Sequence, residues 1–128
     1  MRKFVSILMA SVLAAVLLVG CAGDIVPEGA EYGMFSGTMS SEEPGTITEI
    51  HGATLKALEN LELPVSYDKK DNLVAVVQTF TAEGQSIRIT ISYMFGDVSE
   101  LSFTSDDRID KYKLAGLLDE IRKSMTLL

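Results

Sequence analysis

Fourteen of the sixteen residues from Phe4 to Val19 are apolar, Ser6 and Ser11 being the exceptions, and the run sits between Arg2-Lys3 and Gly20-Cys21. How this stretch is assigned decides how much chain remains to build a fold. It is shorter than the ~20 apolar residues that a permanent transmembrane helix needs. A basic start, a short apolar centre and small residues at a cleavage point instead make the pattern of a secretory signal. Arg2 and Lys3 hold the start on the cytoplasmic side, because positive charge resists translocation. The sequence therefore predicts that residues 1–20 are a targeting segment and that the chain from Cys21 onward supplies the folded part.

That division changes the composition. The 128-residue chain carries a net charge of −7 and is 47% apolar. Without residues 1–20 it keeps nine Lys+Arg against eighteen Asp+Glu, a charge of −9, and about 42% of its 108 residues are apolar, which is ordinary for a soluble domain. The length suits one small domain. The acidic balance argues against nucleic acid, whose binding needs clustered Lys and Arg to displace counterions. It also makes anionic headgroups repulsive, so membrane attachment has to rest on a lipid. One Cys excludes an intrachain disulfide and a Cys-rich zinc site, and one His excludes sites that require two.

The stretch Ala22–Glu31 has small residues, one Pro and no useful period, and reads as a tether spanning roughly 20 Å by the Gly-rich coil relation. Tyr32–Met39 is a weak strand candidate containing Gly33 and Gly37. Ser40–Gly45 reads as a turn, and Thr46 with Glu49 three residues on forms a capping-box pattern. Ile47, Ile50, Thr54, Leu58 and Leu61 then share one helical face, widened by Leu55 and Ala57, until Leu63-Pro64 ends the helix. Asp68–Asn72 reads as a polar turn, Leu73–Thr81 as a β-branched strand, and Ala82–Gln85 as a turn. From Ser86 to Tyr93 the chain alternates, with Ile87, Ile89, Ile91 and Tyr93 on one face. Phe95-Gly96-Asp97 turns it again, and Ser99–Thr104 points Leu101 and Phe103 inward. Ser105 caps a second helix with the stripe Leu114, Leu117, Leu118, Ile121 and Met125, within which Gly116 marks a close helix contact. The order β-α-β-β-β-α implies an α+β, two-layer sandwich: a three-strand antiparallel meander plus a weak N-terminal strand, with two helices on one face. Residues 32–128 form that single domain, after a signal over 1–20 and a tether over 21–31.

Leu18-Val19-Gly20-Cys21 resembles the bacterial lipobox, where a lipoprotein peptidase cuts between Gly20 and Cys21 and the thiol of Cys21 carries diacylglycerol. The alternatives are an ordinary secretory signal with an incidental Cys and an uncleaved anchor helix. Two or three acyl chains hold a protein to a bilayer where a single chain does so only marginally. With Ala53–Val65 (A-T-L-K-A-L-E-N-L-E-L-P-V) and Leu73-Val74-Ala75 leading to a hairpin at Glu83-Gly84, the chain resembles a family of small uncharacterised bacterial lipoproteins. That family has no assigned activity. The resemblance implies a helix end running into a strand, a lipid-anchored place in the cell envelope and, since Ala22 rather than Asp follows Cys21, the periplasmic face of the outer membrane in a host that has one.

The residues offer few chemical sites. His51 is flanked by Ile50 and Gly52 and has Leu55, not a charged partner, one turn on. The acidic pairs at Glu42-Glu43, Asp106-Asp107-Asp110 and Asp119-Glu120 match no calcium loop and read as solvated or helix-terminal charges. No catalytic residue, metal ligand or cofactor is expected. Leu73–Val77 is apolar on both faces. Either Tyr32, Phe35 and Met39 cover the second face, or Val74, Val76 and Phe80 line a binding surface. Three classes of role follow: a non-enzymatic envelope module with a protein partner; a carrier of an apolar ligand held between helices and sheet; and, third, a hydrolase using surface carboxylates. The chain is expected to reach the membrane through its N-terminal lipid and to have no nucleic-acid partner.

Overall fold

The computed structural model describes residues 29–33, 38–107 and 109–126. The predicted signal and most of the tether lie outside them, as do Met34–Gly37. Six strands and two helices follow in order: β1 (Ala30–Gly33), β2 (Thr38–Pro44), α1 (Ile47–Asn60), β3 (Val65–Lys70), β4 (Val74–Phe80), β5 (Ser86–Phe95), β6 (Val98–Thr104) and α2 (Lys111–Thr126). The strands form one open antiparallel sheet in the order β1-β2-β6-β5-β4-β3. This is the expected α+β class, with more strands than the residue pattern disclosed.

Strand register sorts the side chains into two faces. One row across the sheet runs Met39, Phe103, Ile89, Val77, and the next runs Ser41, Leu101, Ile91, Ala75. All eight are buried, and Ile47, Ile50, Ala53, Ala57 and Leu58 of α1 join the same core as Leu114, Leu117, Leu118 and Ile121 of α2. Both helices therefore cover the same face. α1 carries the chain from β2 to the far edge at β3, four strand spacings or about 19 Å. Its fourteen residues are about 21 Å long at 1.5 Å per residue, so the helix fits the width it has to cross.

Local chemistry sets the helix ends. Thr46 Oγ1 accepts the amide of Glu49 and donates to the Glu49 carboxylate, both at 3.2 Å, which satisfies one donor left over at the first turn. Gly45 precedes this cap at φ 155°, and a Cβ there would lie 3.2 Å from Ile50 Cγ1. At the other end Leu63 N–H donates to Leu58 C=O while Glu62 takes φ 58°, a left-handed closure before Pro64. Two expectations are corrected at α2. Its cap is Asp110, whose Oδ1 accepts the Tyr112 amide at 2.9 Å. Ser105 instead donates to Ser86 C=O and accepts from Asp107 N–H, tying the end of β6 to the start of β5. Gly116 marks no close contact, since it faces outward and a Cβ on it would meet nothing within 4 Å.

Two segments read as turns are strands. β2 continues to Pro44 through Ser40–Glu43, and β3, the strand that the resemblance implies after the helix end, runs from Val65 through Asp68–Lys70, with the actual turn at Asp71–Leu73. Ala30 and Glu31, read as the end of the tether, begin β1.

The outward helix glycines generate a prediction. Gly52, like Gly116, has open space where a Cβ would stand. Replacing either with Ala is expected to raise stability by about 0.5–1 kcal/mol through helix propensity alone. Urea denaturation of Gly52→Ala and Gly116→Ala tests this; a loss of stability in either would mean that the glycine is packed.

Candidate functional site

The sheet face away from the helices has no layer over it among the described residues. Register places three rows on it. Glu42, Glu100, Ser92 and Val74 form the first. Glu31, Ser40, Ser102, Thr90, Val76 and Lys69 form the second, edge to edge. Thr104, Arg88, Gln78 and Tyr67 lie in the third, with Ser86 and Phe80 beyond. The centre is thus hydroxyl-lined, the β1–β2 side acidic and the β4–β3 side apolar.

Val74, Phe80 and Tyr67 are 38%, 40% and 47% exposed, and Val76 lies between them, half-buried. Tyr67, Val76, Gln78 and Arg88 line an open depression of about 300 Å³. With the Gln78 amide oxygen turned toward Arg88, it accepts from Nη2 at 2.8 Å and Nε at 3.0 Å, which holds the guanidinium over the sheet. Met39 does not cover this corner. It is buried on the opposite face, in one row with Phe103, Ile89 and Val77. Phe35 and the Tyr32 side chain lie outside what is described.

The acidic clusters are dispersed by the fold. Glu42 points outward, directly opposite Glu100, a like-charge pair that is tolerable where water screens it. Glu43 points inward and is buried; Arg122 Nε of α2 donates to its Oε1 at 2.7 Å, Ser41 Oγ donates to the same oxygen at 2.9 Å, and Arg122 Nη2 donates to Ser41 Oγ at 3.0 Å. Asp107 accepts the Ser86 amide, Asp110 caps α2, and Glu120 accepts from Asn60 Nδ2. Glu43, Asp107, Asp110 and Glu120 thus each perform a structural task. Among the described residues no three His, Cys, Asp or Glu come together in a way that could hold a metal ion.

His51 has a partner that sequence reasoning missed. Its Nε2 lies 2.6 Å from Asp68 Oδ1 of β3, and beside it Lys70 Nζ donates to Thr48 Oγ1 at 3.3 Å. Both contacts tie the edge strand to α1. The only signal for them in sequence was the polar D-K-K run, which fits a turn equally well. Cys21 and Gly20 lie outside the described residues. Among those described, no helix is long and apolar enough to cross a membrane.

Fold and site together define a small α+β domain with one packed and one open sheet face, and without a metal-binding group among the described residues. The chain belongs to a family of proteins of unknown function, DUF3568, which it matches over residues 3–123. That match extends across the N-terminal apolar segment as well as the domain. A comparison with curated proteins finds no match.

Among the ion pairs of the described residues, Glu43–Arg122 has the most deeply buried carboxylate, and it yields a prediction. Arg122→Ala strands a buried carboxylate and is expected to cost about 3 kcal/mol. Replacing both partners, Glu43→Leu with Arg122→Leu, is expected to cost less than the single change. Chemical denaturation of the two variants checks the order, and a single variant within about 0.5 kcal/mol of the parent would show that the pair contributes little.

Proposed function

We propose that this protein is a lipoprotein of the bacterial cell envelope, lipidated at Cys21 and then cleaved before it, with loss of residues 1–20. Its domain serves as a non-enzymatic module that meets a protein partner on the open face of its sheet. The observation that carries the anchor is the sequence Leu18-Val19-Gly20-Cys21 at the end of a short apolar run. The partner surface is supported by the corner formed by Tyr67, Val74, Val76 and Phe80, an apolar area on an otherwise polar face. Exposed apolar patches of this kind mark contact sites more often than solvent faces. Ala22 after the cysteine favours the outer membrane in a host that has two.

A carrier would hold an apolar ligand between helices and sheet. The residues facing each other across that layer, among them Phe103, Ile50, Leu58 and Leu118, are fully buried against one another, and the depression beside Val76 is on the other face. These observations favour the interaction module.

Metabolic labelling with a fatty-acid probe tests the anchor: the full chain is expected to be labelled and Cys21→Ala is not. Unchanged labelling of the variant would contradict the lipoprotein reading. Cross-linking in intact cells tests the surface. A protein adduct seen with the parent chain is expected to disappear in Val76→Ser with Phe80→Ser and to persist in Thr90→Ala.

A further inference from the structure

The direction of β1 sets the end of the sheet at which Gly29, the first described residue, stands. Ala30 pairs with Ser41 and Gly33 with Thr38, so Gly29 and Ala30 stand toward the end of the sheet that holds Glu43, Ser99 and Tyr93. Two turns close that same end: Gly96–Asp97 between β5 and β6, and Asp71–Leu73 between β3 and β4.

These turns display four large apolar side chains. Leu73 is 64% exposed, Phe95 61%, Tyr93 47% and Met94 39%. The backbone is arranged to hold them out. Asp71 Oδ1 accepts the amides of Leu73 and Val74 at 2.8 and 2.9 Å, bonds that hold its carboxyl below the usual carboxylate range. Leu73 C=O in turn accepts from Tyr93 N–H at 2.9 Å, bringing the two turns side by side. A bulge between Tyr93 and Phe95 breaks the alternation of β5, so three consecutive residues are exposed rather than every second one. Gly96 then reverses the chain at φ 52°.

We propose that this end of the domain is a membrane-contacting surface, with Leu73, Tyr93, Met94 and Phe95 seated at the headgroup–acyl boundary of the bilayer that holds the lipidated Cys21. The contact rests on the lipoprotein reading above. The occupant follows from chain length: eight residue steps separate Cys21 from Gly29, at most about 29 Å when fully extended. The end at which Gly29 stands is therefore the end brought to the lipid. Tethering raises the local concentration of that surface at the bilayer, so a weak apolar contact suffices. Tyrosine suits the site because its ring is apolar and its hydroxyl stays wet. The nearby charges are Lys69 and Lys70 against Asp71, Asp97, Glu42 and Glu100, an acidic excess. The contact is therefore apolar insertion and gains nothing from anionic lipid.

The opposite end supplies the control. Tyr112 is 60% exposed at the start of α2, where the Lys113–Glu83 ion pair at 2.9 Å places it beside the β4–β5 turn. A benzophenone amino acid is introduced in the full chain at Phe95 or at Tyr112, in bacterial cells fed a fatty-acid probe. Both proteins are expected to carry the probe, and irradiation is expected to give at least about tenfold more phospholipid adduct from position 95, since only an inserted face reaches acyl chains. Probe-labelled protein with equal lipid adducts at the two positions, or with protein adducts alone at 95, overturns the membrane contact and leaves the anchor standing. Absence of the fatty-acid probe from both proteins overturns the lipoprotein reading, and this contact with it.

Discussion

The structure depends on burial of one side of the sheet. Across its middle, Met39, Phe103, Ile89 and Val77 stand in a single row, drawn from four different strands. Each is removed from water by the two helices above. A strand whose register slipped by one residue would send its whole apolar set to the wrong side. The row therefore fixes register, and register fixes everything on the other face: the hydroxyl centre, the acidic side and the apolar corner at Val76.

The same row explains which elements were legible. Wherever inward positions are apolar, the sequence pattern located the element: Ile87, Ile89 and Ile91 in β5, Leu101 and Phe103 in β6, and the stripes of both helices. β2 and β3 were obscured because their inward positions are partly polar. Ser41 and Glu43 meet Arg122 from α2, while Asp68 and Lys70 meet His51 and Thr48 from α1. Polar residues that fit turns in sequence are strand positions with distant partners, up to 81 residues away. Such partners leave no periodic trace. Ser105 misled for a related reason, since a good capping residue bonded instead to the neighbouring strand.

The candidate surface was half visible. Two-sided apolarity of Leu73–Val77 marks the corner seen at Val74, Val76 and Phe80, but Tyr67 joins it only through β3, a strand that the family resemblance implies after Pro64 and that no periodicity reveals. The exposed end at Tyr93–Phe95 was hidden by the alternation itself. Tyr93 continues the inward face of Ile87, Ile89 and Ile91, yet the strand outruns the helices at that point and the bulge sets the following side chains free. The polar edges have a further consequence. The His51–Asp68 pair ties the edge strand β3 to α1 and the Glu43–Arg122 pair ties β2, next to the other edge, to α2, while apolar residues at the open corner and the exposed end remain available for contact.

The claim on which all of this rests is that the sheet is packed on one side only. Ser102 and Phe103 are adjacent on β6 and face opposite ways. Urea denaturation of Phe103→Ala and Ser102→Ala therefore compares the two faces at nearly one point in the structure. The account predicts a loss of about 3–5 kcal/mol for Phe103→Ala and a change within about 0.5 kcal/mol for Ser102→Ala. Losses of similar size at both positions would contradict it, because they would mean that a second packed layer covers the outer face.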